Sequence, residues 1–174
     1  RKTSIHSIIL MDTSLGNKSR IYYSGYGYSK RRCESVTSWF MSKFLPRHHI
    51  DVTVNHRGMI REDALGYCDW IGTSHNPRDF EIELQSNMDE ETYIQTLLHE
   101  LVHLRQWVKG TLKMKSGKFH WKGKNISEIE YLNQPHEIEA FSEEKTLYNQ
   151  YAFDKWGVWL DNTYFNNTLP RHLL

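Results

Sequence analysis

The segment His99-Glu100-Leu101-Val102-His103 sets two imidazoles four residues apart, with a carboxylate directly after the first. On a helix, residues four apart lie one above the other on the same face. His99 and His103 can then both reach one zinc ion at about 2.0–2.1 Å. Glu100 points about a quarter turn away, where its carboxylate can hold a water beside the metal without displacing it. A Lewis acid next to a general base is what metal-assisted hydrolysis of a peptide bond requires.

A histidine-rich chain produces such patterns by accident, so the frequency matters. With ten His in 174 residues and the Glu content of this chain, about 0.04 chance matches are expected. The motif also falls inside an apolar run, Leu97, Leu98, Leu101, Val102 and Leu104. Two histidines and a glutamate buried there are costly unless they share a partner.

A catalytic zinc takes three protein ligands and leaves its fourth position to water. A third histidine six residues past His103 is excluded, because position 109 is Lys and position 106 is Gln. His120, Glu137 and Glu139 remain. Helical phase separates the two glutamates. Glu137 shares a face with Ala140, Phe141, Glu144 and Tyr148, which reads as inward, whereas Glu139 shares one with Ser142, Glu143 and Thr146. Glu137 is the preferred third ligand, His120 and Glu139 stay open, and Glu144 is placed to steady a ligand histidine. His136, Tyr131 and Tyr148 are donors that can stabilise an oxyanion, and the residues alone do not rank them.

The elements that must position these groups can be read from periodicity. Apolar residues at 97, 98, 101, 102 and 104 predict a buried central helix, started by Asn87 or Asp89 and ended by Gly110. Phe80, Ile82 and Leu84 alternate with Glu81, Glu83 and Gln85, which predicts a strand over residues 79–85 immediately before it. A last helix is expected from Pro135 to about Tyr151. Val36, Phe40 and Phe44 predict a helix over residues 33–45, stopped by Pro46. Ile50, Val52 and Val54 predict a strand over residues 49–55. Weaker strand signals occur at residues 7–11 and at Trp70 and Ile71. Residues 1–30 otherwise read as irregular, residues 113–124 as a loop or hairpin, and the tail after Gly157 is unassigned.

At 174 residues the chain is expected to form one domain, with a core over about residues 33–152 and irregular extensions at both ends. The net charge of +1 is unevenly spread, since residues 1–50 hold nine Lys/Arg against two Asp/Glu and residues 51–100 hold three against eleven. Cys33 and Cys68 lack metal-ligand spacing and read as free thiols of a cytoplasmic protein. No apolar run reaches membrane-spanning length and no signal-peptide core is seen, so no membrane partner is expected. His48, His49, His56, His75 and His172 read as ordinary surface or core histidines.

Residues 96–104 resemble the longer zincin metallopeptidase signature, with Arg105 departing from it where a hydrophobic residue is usual. Residues 135–140 resemble the Glu-x-x-Ala helix of gluzincins, which implies Glu137 as third ligand and one catalytic zinc as cofactor. The arrangement is similar to minimal gluzincin domains, to SprT-like and ImmA/IrrE-like proteins and to small metallopeptidases encoded by phages. SprT-like proteins use a third histidine, which would be His120. The resemblance covers about residues 79–148. It implies an α+β domain: a small twisted sheet packed on the helix bearing the motif, and a second helix carrying the third ligand. It also implies a cleft beneath an edge strand to which a protein or peptide substrate adds. If residues 79–85 form that edge, Glu81 and Glu83 favour basic substrates. The implied activity is zinc-dependent endopeptidase cleavage with Glu100 as general base.

An alternative is an inactive zinc-binding or nucleic-acid-associated module. Lys113, Lys115, Lys118, Lys122 and Lys124 interleave with Phe119 and Trp121, giving charge for phosphates and rings for bases.

Overall fold

Alternation of apolar and polar side chains builds the larger of two sheets. The computed structural model describes residues 8–10, as backbone, and residues 19–157; His172 and the tail after Gly157 lie outside the described residues. The strands are β1 (Ile8–Leu10), β2 (Arg20–Gly25), β3 (Asp51–Arg57), β4 (Gly66–Trp70) and β5 (Asp79–Gln85), in the spatial order β1-β2-β3-β5-β4. β2, β3 and β5 run parallel, while β1 and β4 pair antiparallel with their neighbours. A row across the sheet reads Tyr23, Val54, Ile82 and Cys68 in register. Its inner members Tyr23, Val54 and Ile82 are buried.

β2 lies in the stretch that reads as irregular. Only Ile21 and Tyr23 point inward among its Arg, Tyr and Ser neighbours, too short an alternation to stand out. Parallel pairing to β3, a contact distant in sequence, makes it a strand.

The condition that residues 79–85 form the edge is not met. β5 has β3 on one side and β4 on the other, so β4 is the edge. Glu83 of β5 is held by Arg57 at 2.8 Å, and neither Glu81 nor Glu83 lines the cleft beside the motif. The signal for β4 is weak because its residues, Gly, Tyr, Cys, Asp and Trp, do not alternate cleanly in polarity.

Among the described residues there are three α-helices. In α1 (Lys30–Phe44) Ser29 Oγ accepts from the Arg32 amide, and Val36 and Phe40 are buried. In α2 (Glu90–Lys109) Asp89 accepts from the Thr92 amide, and Glu90 and Glu91 complement the positive helix start. Gly110 ends α2 at φ 71°, a left-handed conformation that favours glycine. α3 (Pro135–Trp156) opens on proline, whose missing N–H costs nothing in a first turn. Residues 113–124 form most of a second, three-stranded sheet: β6 (Leu112–Lys115), β7 (Lys118–Trp121) and β8 (Lys124–Asn125). The fold is therefore α+β.

α2 packs against α1, α3, β4 and β5. Ile94, Leu97, Leu98, Leu101, Val102 and Leu104 are all fully buried. Each such side chain contributes roughly 1.5–3 kcal/mol, which fixes the helix rigidly beneath the sheet. Cys33 and Cys68 are free. Among the described residues no helix is long and apolar enough to cross a membrane.

Candidate metal centre

The middle of α2 presents His99, Glu100 and His103, each less than a tenth exposed, toward the start of α3 and the edge strand β4. The Nε2 atoms of His99 and His103 stand 3.1 Å apart. Glu137, from the first turn of α3, brings Oε2 to 3.3 Å from His99 Nε2 and 3.4 Å from His103 Nε2. A tetrahedral ion bonded at about 2.1 Å separates its ligands by about 3.4 Å. The three atoms therefore have the spacing of neighbouring ligands around one small cation.

The outer ring nitrogens fix the tautomers. His99 Nδ1 lies 3.2 Å from Glu144 Oε2, and a carboxylate only accepts, so Nδ1 donates. Gln106 donates from Nε2 to the His136 carbonyl (3.0 Å) and to Glu139 Oε2 (2.8 Å). Its Oε1 therefore faces His103 Nδ1 at 2.9 Å and accepts from it. In the neutral rings both Nε2 lone pairs then point at Glu137 Oε2, a buried oxygen with no hydrogen-bond partner. Acceptors converging without a donor call for a cation, and this donor set fits a divalent metal.

Without a metal, protons answer the same field. Burial opposes protonation of His99, but Glu137 and Glu144 outweigh it and lift its pKa to about 9. Burial likewise opposes protonation of His103, and Glu137 and Glu100 again prevail. Burial would raise the Glu137 pKa, yet His103, His136 and His99 hold it far below the usual carboxylate range. A metal entering here displaces those protons.

Glu100 sits in the adjoining cavity of about 260 Å³, lined also by β4, His103, Tyr131, His136 and Glu137. Burial raises its pKa to about 7, partly offset by His103 and His99. Proximity to Gly66 makes room for it, since a Cβ at position 66 would lie 2.7 Å from Glu100 Oε1.

Among the described residues His99, His103 and Glu137 are the group able to hold a metal ion. His120 lies apart on β7, its Nδ1 donating to the Lys118 carbonyl at 3.0 Å. Glu139 contacts Gln106 and Arg105 rather than the histidines. Of the three oxyanion candidates, Tyr131 and His136 line the cavity and Tyr148 does not. Burial and the neighbouring Glu137 raise the pKa of the Tyr131 hydroxyl.

Sequence reasoning missed Gln106 and Gly66. Gln106 carried a readable signal, being a polar residue three positions past His103 on the same face of a helix expected to be buried. For Gly66 the signal was a glycine within a strand, which marks close approach of another group.

The basic stretch divides in space: Lys122 Nζ lies over the Trp121 ring, 5.2 Å from its centroid. Strand alternation sends Lys113, Lys115 and Lys118 to the exposed face, while Phe119 and Trp121 pack against the core. No protein family, curated protein or solved structure compared with this chain matches it.

Proposed function

We propose that this chain is a zinc-dependent endopeptidase of the zincin type, with zinc held by His99, His103 and Glu137. The observation that carries this reading is the position of Glu100: its carboxylate shares a solvent-sized cavity with His103 and Glu137. A bound zinc ion would supply a Lewis acid that acidifies water and polarises a carbonyl.

The protein's own groups account for the proton movements. The Glu100 carboxylate takes a proton from the attacking water and hands it to the leaving amine nitrogen. Its raised pKa, about 7 before metal enters, suits a group that must both accept and donate near neutrality. Glu144 and Gln106 keep the histidine rings aimed, each through the ring's Nδ1. Tyr131 and His136 line the space where charge on the carbonyl oxygen would develop.

The donor count favours a catalytic ion over a structural one. Structural zinc sites close with four protein ligands, whereas three converge here among the described residues.

Glu100→Gln tests the reading. Zinc content and the far-ultraviolet circular dichroism spectrum should be unchanged, while peptide cleavage falls by about 10²–10⁴-fold. Cleavage near the wild-type rate would exclude Glu100 as the general base.

A further inference from the structure

Beyond Glu100 and His103, the same cavity is walled by Trp70, Trp107, Leu112 and Phe119. Three elements meet to make this wall. Trp70 comes from the edge strand β4, Trp107 from the last turn of α2, and Leu112 and Phe119 from the β6–β7 hairpin. The Trp70 and Trp107 rings lie 4.4 Å apart by centroid and tilted, and Phe119 stands 6.1 Å from Trp107. Pairing of Met114 with Phe119 and of Leu112 with Trp121 fixes which hairpin side chains turn this way, and the lysines at 113, 115 and 118 turn outward.

Leu112 and Trp107 are almost fully buried, whereas Trp70 and Phe119 remain half-buried and line the cavity. The wall itself offers no charge. An anionic side chain placed against it would lose hydration and face Asp69, which lines the same cavity, while an apolar one would gain by removing both its own surface and the rings' from water. At about 260 Å³ the cavity is near the small end of ligand pockets, which begin at about 300 Å³. That size suits one large side chain together with the bond beside it.

We infer that this wall is a specificity pocket that accepts a large apolar side chain, aromatic above aliphatic, from a residue next to the cleaved bond. The inference rests on the peptide-hydrolysis reading for its substrate class.

The test uses the zinc-loaded full chain and quenched-fluorescence peptides identical except for one scanned position, filled in turn by Phe, Leu, Ala, Asp or Lys. At the position that meets the wall, kcat/KM for Phe should exceed that for Ala, Asp and Lys by at least about tenfold. Phe119→Ala should shrink the Phe-to-Ala ratio, and Phe119→Leu should keep most of it, with circular dichroism and zinc content confirming that both variants fold. Binding of N-acetylphenylalanine amide and N-acetyllysine amide, read by tryptophan fluorescence, gives a second measure independent of cleavage. Cleavage with no apolar preference, or with a preference for charge, overturns the pocket and leaves the hydrolysis reading standing. If no peptide is cleaved, the hydrolysis reading fails and amide binding decides the pocket. Selective binding of the phenylalanine amide, lost in Phe119→Ala, upholds it; equal or absent binding of the two amides overturns it.

Discussion

Gly66 on the edge strand lies against the Glu100 carboxylate, so closely that a Cβ at position 66 would stand 2.7 Å from Oε1 and 2.9 Å from Cγ. A methyl group there must push the carboxylate away or lift the strand.

Gly66→Ala is therefore expected to impair the reaction while sparing the metal. A displacement of about 1 Å at a reacting group can cost on the order of 10²-fold in rate. The measurement is kcat/KM beside zinc content. Full activity in Gly66→Ala would show that Glu100 needs no such clearance.

The three glutamates of α3 near the site should separate by their effect on zinc affinity. Glu137→Ala removes one of the three proposed ligands and should weaken binding most. Glu144→Ala frees the His99 ring and should cost about 10–100-fold. Glu139→Ala touches only Gln106 and Arg105, and should cost the least. Competition with a zinc-sensitive dye gives all three affinities, and a larger loss for Glu139→Ala than for Glu137→Ala would transfer the ligand role.

His56 predicts a pH dependence of stability unrelated to the metal. Its ring stacks on Tyr28 at 3.5 Å, donates from Nδ1 to the Ser24 carbonyl and accepts from the Tyr93 hydroxyl at Nε2. Burial lowers its pKa from 6.5 to about 4. The unfolded chain thus binds a proton as pH falls below 6.5, while the folded chain does not until about 4. Stability from the neutral ring is full above 6.5 and is lost on descent toward 4, a total of about 3 kcal/mol. Urea unfolding at pH 7 and pH 5 should show a drop about 2 kcal/mol larger for wild type than for His56→Gln. Equal drops in the two proteins would contradict this.

Much of this arrangement was legible from residues close together in the chain. Alternation at 80, 82 and 84 marked β5, and Asp89, Gly110 and Pro135 marked helix ends, because caps and periodicity act within a few residues. The i, i+4 histidines and the phase of Glu137 against Glu139 were readable for the same reason. Contacts between distant segments were not. Nothing local says that β4 rather than β5 closes the sheet, or that Phe119 turns toward Trp107 while its neighbouring lysines turn outward. β2 was hidden because two inward side chains, Ile21 and Tyr23, acquire their meaning only beside β3.

Zinc content of the purified chain after exhaustive dialysis against metal-free buffer tests the central claim most directly. His99, His103 and Glu137 should retain about one zinc per chain, or regain it on titration with release of protons. A chain that neither retains zinc nor takes it up would contradict the account, because the converging lone pairs would then be satisfied by protons alone.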